Sequence, residues 1–378
     1  MNFQKHKNTL IFLSILLLAF VLRLFYLSHE SIWLDEGISI AMAKLNFAQL
    51  IDKSAIDSFP PLYYLLLHYW MLLLGDSEFS VRFLSLVFGL ASIVVSYQLT
   101  KYLWQEKVAL ITAFLLAISV FHIDYAQEAR MYSLLTFLSV SSFYFFLKWK
   151  DSAAKKWMFL LFLINLLFLY THTLAVFFIA AQNIYYFLLK KKGAIVVKSW
   201  IILQLLLLLA FLPWIQIFLL QASVWQNMVW MPAPTIRDIA GTLSTYSGSI
   251  LLTLVFCVLI LKALIPYKKE QLKFNFLVFW LAFPTALLLV FCFLFQSIYL
   301  QKYTIASSLP FFILVAYGIQ SFEQKKHKIG MLSAITVLAA IKLAVYYAQE
   351  DKEQWREAVA LVESNADKND VILFDAAY

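Results

Sequence analysis

The sequence is short of charge, glycine, proline and cysteine. Only 14% of its 378 residues are charged, where a soluble domain carries about a quarter; a water-facing surface of ordinary extent is thereby excluded. Eight glycines and eight prolines leave no glycine-rich nucleotide loop and no low-complexity linker, and no convincing internal repeat is visible. The two cysteines, Cys257 and Cys292, both lie inside apolar runs. That argues against a disulfide framework or a cysteine metal site and says little about redox compartment. Acidic residues number 22 against 30 basic ones, a net charge of +8. Most lysines stand in short tufts between apolar runs, so the excess reports membrane topology and not nucleic-acid binding.

What is abundant is hydrophobic: 63% of the residues, with a mean hydropathy of +0.79. Apolar surface on this scale has to face lipid or other helices within lipid, which predicts an all-α polytopic membrane protein. Runs that can span fall at about 9–27, 79–100, 108–122, 131–148, 157–171, 173–190, 199–220, 247–265, 274–296, 303–320 and 329–347, about eleven transmembrane helices with soft boundaries. Lys5 and Lys7 precede the first run in the manner of a secretory signal. Phe20, Val21, Leu22 and Arg23 occupy the place of a cleavage site, so the first span is expected to be retained.

One further apolar run, 60–74, is ambiguous. The tufts are Lys5/Lys7, Lys101/Lys107, Lys148/Lys150/Lys155/Lys156, Lys190/Lys191/Lys192/Lys198, Lys268/Lys269/Lys273 and Lys325/Lys326/Lys328. If 60–74 does not cross, all of them fall on the cytoplasmic side; if it crosses, all but the first move outside. The positive-inside rule selects the first arrangement. Segment 60–74 is then a juxtamembrane helix on the outer surface, opened by Pro60 and Pro61 and ended by Gly75. The outer face would carry 28–78, 122–130, 221–246, a turn near 297–302 and the C-terminus, with the N-terminus cytoplasmic.

Those outer segments hold the residues with chemical potential. In Ser31-Ile32-Trp33-Leu34-Asp35-Glu36-Gly37, adjacent carboxylates beside an interfacial Trp can act as a general base or ligate a hard cation. They can equally cap the helix that follows, whose dipole favours acids at its start. The stretch from Phe121 to Tyr132 packs His122, Asp124, Glu128 and Arg130 into a very short loop. Ionisable groups at a membrane boundary are costly unless paired or hydrated, which marks them as functional candidates; a structural Glu128–Arg130 ion pair is the plain alternative. His172 sits in a turn with almost no loop, Lys302 opens a span and so does Arg82. Each alone is more often an interfacial residue than a ligand. Together they put positive charge on the face of the carboxylates. No zinc spacing and no defensible Ser-His-Asp arrangement is present, and the aromatics, 17% of the chain, fit lipid-facing belts.

A first span followed by Trp33-Leu34-Asp35-Glu36-Gly37 resembles the membrane-embedded glycosyltransferases of the GT-C class. So do Phe59-Pro60-Pro61-Leu62-Tyr63-Tyr64, Ser80-Val81-Arg82-Phe83 and above all Tyr125-Ala126-Gln127-Glu128-Ala129-Arg130-Met131-Tyr132. The match is to the family-39-like branch that includes protein O-mannosyltransferases and the lipid A aminoarabinose transferase. The resemblance implies a GT-C fold with juxtamembrane helices, and inverting transfer of a sugar from a polyprenyl-phosphate donor to an outer-face acceptor (protein, lipid or glycan). It implies Asp35, with Glu36 beside it, as general base or essential partner, and Glu128 as the second acid. Arg130, His172, Lys302, Asp124, Arg82 and Tyr63 become candidates for donor-phosphate or substrate contacts. A divalent metal on Asp35 and Glu128 is an option. Relatives commonly carry Arg where this chain has Lys302, so a bidentate phosphate contact is lost there.

Residues 1–350 are thus expected to form the transmembrane glycosyltransferase domain. Residues 351–378 read as an amphipathic helix (354–362), a polar turn and an apolar strand (371–374), a short α/β stub that would open a truncated soluble outer domain. A bacterial inner membrane fits this lean topology. Two rivals remain open from the residues: a secondary transporter, which would show repeats and broken midplane helices, and a catalytically silent lipid-phosphate-sugar-binding protein.

Overall fold

The computed structural model describes residues 2–56, 59–188, 194–225, 233–264, 267–295, 297–367 and 370–371. Among the described residues the chain is helical throughout and forms no strand. The first span is α1 (Asn2–Leu24). An outer layer follows, made of α2 (Leu34–Ala43), α3 (Phe47–Ile56) and α4 (Leu62–Leu74). The bundle continues with α5 (Glu78–Leu103), α6 (Glu106–Ala117), the one-turn α7 (Val120–Asp124), α8 (Tyr132–Ser152), α9 (Lys155–Leu169), α10 (Ala175–Leu188) and α11 (Ala194–Trp225). It closes with α12 (Ile236–Ser247), α13 (Ile250–Ala263), α14 (Tyr267–Leu294), a 3-10 turn (Gln301–Thr304), α15 (Ile305–Gln320), α16 (Lys325–Ala348) and α17 (Trp355–Asn365).

Helices α8 and α15 form the centre. Nearly every residue of α15 is buried, and α8 buries Ser133, Thr136, Ser139, Ser141 and Ser142 beside its apolar side chains. Small hydroxyl residues let helices approach closely in lipid and bond across to neighbours. Ser139 donates to the Ala306 carbonyl at 3.1 Å, and Ser142 joins Asn165 and Gln182 in a buried triangle linking α8, α9 and α10. Helices α13 and α15 meet at Gly318, where a Cβ would lie 2.0 Å from the Leu259 carbonyl oxygen. The outer rows of α1, α11, α13, α14 and α16 instead expose Leu, Ile, Val and Phe, the surface a lipid-facing helix presents.

Six helices are long and apolar enough to span, or seven if the pair α12–α13, bent by 88°, counts as one. The expected eleven is therefore not confirmed. The remaining expected spans are short, α6, α9 and α10 having 12, 15 and 14 residues, where a straight crossing takes about 20, or polar, as in α8. Segment 60–74 behaves as expected for a helix that stays at one end. With 13 residues it covers roughly 20 Å, too little for a hydrocarbon core of about 30 Å. Its start is tied by Leu62 N–H to the Tyr170 carbonyl (3.0 Å) and its later turns by His68 Nδ1 to the Ala43 carbonyl (2.7 Å) and Trp70 Nε1–H to the Ser80 carbonyl (2.8 Å). All these anchors belong to the same end of the bundle.

The opposite end gathers lysines. Asn8 bonds Glu106, Lys101 pairs with Glu106 at 2.6 Å, Lys148 lies over Tyr102, and Trp104 stacks on Tyr317. The tuft at 190–192 lies outside the described residues. So does most of the expected C-terminal strand, of which only Val371 is described, in no strand. The expected amphipathic helix at 354–362 is found as α17, with no buried residue.

Candidate active site

The end opposite the lysines carries two ion-pair clusters seeded by consecutive residues. Both carboxylates stand in the first turn of α2, where the helix dipole favours them. A helix turns about 100° per residue, so Asp35 and Glu36 point to different surroundings.

Glu36 points inward and is fully buried. Arg82, on the first turns of α5, grips it side-on, Nε donating to Oε1 at 2.8 Å and Nη2 to Oε2 at 2.7 Å. The Ala129 backbone N–H donates to Oε1 at 2.8 Å and the Lys352 ammonium lies 3.6 Å from Oε2. Burial pushes this carboxyl up, but Arg82 and Lys352 outweigh it and hold Glu36 below the usual carboxylate range. Arg82 also donates to the carbonyls of Leu27 (3.0 Å), Glu30 (2.7 Å) and Ser31 (2.9 Å). A guanidinium has five N–H donors, and here each nitrogen is engaged. The cluster pins the first outer loop to α5 and leaves no donor for a phosphate.

Asp35 points to a more open place, its side chain 26% exposed. Lys302 Nζ, from the 3-10 turn before α15, lies 3.4 Å from Oδ2, and Arg130 Nη2 lies 3.8 Å away. These are longer than the 2.7–2.9 Å of a tight charged hydrogen bond. Arg130 is buried, its Nη1 donating to the Asp35 carbonyl (3.1 Å) and Ser39 Oγ (3.3 Å) and its guanidinium 5.2 Å from the Phe59 ring centre. Its Nε finds no partner among the described residues. The ammonium of Lys302 lies 5.7 Å from the Trp33 ring centre and 5.5 Å from that of Tyr132.

His172 belongs to the same cluster. Its ring packs against Phe59 at 5.0 Å and Tyr303 at 5.4 Å. The Leu174 backbone N–H donates to Nδ1 at 3.1 Å, so Nδ1 is the acceptor and the neutral ring carries its proton on Nε2. That Nε2–H is buried and has no partner among the described residues. Burial, with Arg130 and Lys302 nearby, lowers the imidazole to about 3, so His172 is neutral across physiological pH and remains a donor.

Asp124 ends α7, and Glu128 lies on the connection from α7 to α8. Glu128 is buried, and among the described residues nothing donates a hydrogen bond to its carboxyl. Burial and then the Asp124 charge push it up to about 8, so near neutral pH it is mainly the protonated acid. Asp124 accepts from Tyr346 Oη at 3.2 Å, and burial raises it to about 6. Tyr63 is buried, exchanges a 3.0 Å hydrogen bond with Ser85, and Ser85 donates to the Arg130 carbonyl at 3.2 Å. It supports the backbone under Arg130.

Of the nine residues expected from the sequence, Asp35, Arg130, Lys302 and His172 converge on one open cluster, with Glu128 electrostatically coupled to it. Arg82 and Glu36 form the closed one, Asp124 borders it, and Tyr63 lies behind. Sequence reasoning missed Lys352 and Glu353, which reach the site from beyond the last span, Tyr346 near the end of that span, and the aromatic set Phe59, Tyr132 and Tyr303. Phe59 and Tyr132 stood inside the quoted motifs and Tyr303 directly follows Lys302; Lys352, Glu353 and Tyr346 carry no local signal. No group of three or more His, Cys, Asp or Glu side chains is arranged to hold a metal among the described residues. Asp35 instead faces two cations that would repel a divalent ion, so this donor set does not fit a resident metal.

Residues 58–217 match the family described as dolichyl-phosphate-mannose-protein mannosyltransferase. No curated protein matches the chain. Among solved structures, ArnT from Cupriavidus metallidurans superposes with a TM-score of 0.64 at 13% identity, over 89% of this chain and 64% of ArnT. ArnT bound to undecaprenyl phosphate gives 0.61 at 15% identity, over 88% and 63%. The Archaeoglobus fulgidus oligosaccharyltransferase gives 0.62 at 12% identity, over 97% and 59%. The chain thus spans less than two thirds of these proteins' length. Its fold is that of the GT-C membrane glycosyltransferases, and the resemblance to their family-39-like branch is borne out.

Proposed function

We propose that this chain, built on the GT-C fold, is an inverting glycosyltransferase that moves a hexosyl or pentosyl group from a polyprenyl-phosphate donor to an acceptor at the outer face of a membrane. The observation that carries this reading is the open cluster, where a partly exposed carboxylate, Asp35, shares one site with Lys302, Arg130 and the Nε2–H of His172. Undecaprenyl phosphate is the ligand of one ArnT structure. A lipid-linked phosphate is also the donor chemistry that a cationic site at the membrane boundary fits.

In the proposed reaction the acceptor oxygen attacks the anomeric carbon from the side opposite the phosphate. The bond from that carbon to the phosphate oxygen breaks, and its electron pair stays on the phosphate. Single displacement inverts the anomeric centre. Asp35 takes the acceptor proton, which requires an approach of about 3 Å. Lys302, Arg130 and His172 stabilise the charge growing on the departing phosphate. Glu128, held as a neutral acid, can donate to a sugar or phosphate oxygen. Glu36, Arg82 and Tyr63 hold these groups in place. No step runs through a metal. The orientation that fits is a cytoplasmic N-terminus and lysine end, with the site outside, as in a bacterial inner membrane; residues 1–350 would be the catalytic unit.

The test is transfer of radiolabelled sugar from polyprenyl-phosphate sugars in reconstituted vesicles, comparing wild type, Asp35→Asn and Glu128→Gln, with the product anomer read by NMR. The reading expects transfer with inversion by wild type and its loss in Asp35→Asn. Unimpaired transfer by Asp35→Asn, or retention of configuration, would overturn the assigned chemistry.

A further inference from the structure

The helix that carries Asp35 begins without a cap of its own. The first N–H groups of any helix lack intrahelical partners and are usually served by a Ser, Thr, Asp or Asn side chain. In α2 the N-cap residue is Trp33, which offers no acceptor and makes no capping bond. The missing acceptor comes from beyond the last span. Glu353, 319 residues further along the chain, accepts from the Leu34 N–H at 3.2 Å.

Its neighbours engage the same loop. The Lys352 ammonium is largely buried, 3.6 Å from the Glu36 carboxylate and donating to the Gln127 carbonyl at 3.1 Å. It thereby joins the loop bearing Asp35 to the loop bearing Glu128 and Arg130. In return, Glu30 accepts from the backbone N–H groups of Asp351 (2.7 Å) and Lys352 (3.2 Å). Arg356 pairs with Glu78 at 2.7 Å, donates to the His29 carbonyl at 2.8 Å, and takes Ser31 Oγ as acceptor for its own N–H at 2.9 Å. Tyr346, on the last turn of α16, bonds both Asp124 and Gln127.

We propose that residues 350–356 are a strap that positions the reacting carboxylate, with Glu353 as the cap of the Asp35 helix and Lys352 as the positioning residue that locks Glu36 and Gln127 together. Neither residue touches substrate. Their effect on transfer runs through the placement of Asp35 and Arg130, and in that respect the inference rests on the function proposed above. One consequence is that any load on the chain after the last span acts directly on the catalytic loop.

The experiment is hydrogen–deuterium exchange on the full chain in lipid nanodiscs, followed at peptides covering 31–39 and 127–131. Wild type is compared with Lys352→Met, Lys352→Arg, Glu353→Ala and Glu353→Asp. The strap predicts exchange about five- to tenfold faster in 31–39 for Glu353→Ala, the size expected for a lost cap. Lys352→Met is expected to loosen 31–39 and 127–131 together, and the two conservative variants to restore most of the protection. Unchanged exchange in those peptides would overturn the proposal. So would a uniform rise across all helices with a fall in melting temperature, which marks a general structural role. The exchange result decides the strap whether or not the chain transfers sugar, so its failure is distinguishable from failure of the enzymatic reading. Where transfer is measured, Lys352→Met lowers kcat with little change in donor KM; an unaltered kcat contradicts positioning.

Discussion

Asp35 and Glu36 are neighbours on one helical turn, yet they belong to regions of opposite character. Around Glu36 every charge is matched: Arg82 serves both oxygens, Ala129 and Lys352 complete the shell, and no surface is left for a ligand. Around Asp35 the contacts are longer, and two buried donors, Arg130 Nε and His172 Nε2, lack partners among the described residues. Buried polar atoms are normally satisfied, and exceptions in a native structure ask for an explanation. The difference teaches how one helical turn can serve rigidity on one side and, in the proposed function, reactivity on the other. The closed cluster fixes the loop, and the open cluster beside it holds cations and a carboxylate in an arrangement that an anionic ligand can complete.

The comparison is broken most severely from the closed side. Arg82→Met leaves the Glu36 carboxylate buried with the Lys352 ammonium 3.6 Å away as its cation and the Ala129 N–H as its donor. Removing one partner of a buried ion pair costs about 3–5 kcal/mol, so this variant is expected to lose its folded population on heating, followed by fluorescence-detected size exclusion. A wild-type melting profile would show that the cluster is not the loop's anchor. In the open region the largest effect expected is on rate. Asp35→Asn should lower transfer by about 10²–10⁴-fold, the usual contribution of a general base, while melting close to wild type because the carboxylate is partly exposed and its ion pairs are long. A smaller effect is expected for Lys302→Met: donor affinity weaker by about tenfold, in line with the worth of a hydrogen bond to a charged group, read by titration of tryptophan fluorescence with Trp33 close to the site.

The smallest effect expected is on pH dependence. Glu128 is raised to about 8 from an ordinary 4.5. Transfer that uses its acid form falls as pH rises past about 8, and Glu128→Gln should remove that limb. The linked stability has a definite sign. A folded-state value above the unfolded one makes Glu128 contribute fully below about 4.5, with the contribution lost as pH rises towards 8. His172, lowered to about 3, adds no limb between pH 5 and 8, so His172→Asn is expected to keep the shape of the profile. A new limb near pH 6–7 in wild type that disappears in this variant would contradict the neutral ring.

Much of this arrangement is legible in the residues. The lysine tufts, the acidic pair after the first span and the loop from His122 to Tyr132 each mark an end of the bundle through local charge alone, and the short apolar segment 60–74 follows from where those tufts must lie. What is not legible follows from distance and angle. Asp35 and Glu36 are equivalent as letters; only the direction each takes from α2 separates the proposed base from the anchor. Arg82 reads as a cation at a helix start, and its five bonds to the first loop are visible only once α5 packs beside that loop. Lys352 and Glu353 lie in a polar tail with no motif, and their role depends on contacts across nearly the whole chain. The number of spans is likewise set by packing: α8 is polar by letter and central in the fold, because its hydroxyls bond to neighbouring helices.

The open cluster makes one demand that a generic loss of function does not imitate. Asp35 offsets part of the positive charge of Lys302 and Arg130, so removing its charge leaves those cations to an anionic ligand. The decisive measurement is the affinity of Asp35→Asn for undecaprenyl phosphate in nanodiscs, set beside its transfer rate. The account predicts binding as tight as wild type or tighter, with transfer abolished. Binding and transfer lost in equal measure would contradict it, since Asp35 would then be holding the site together instead of taking the proton.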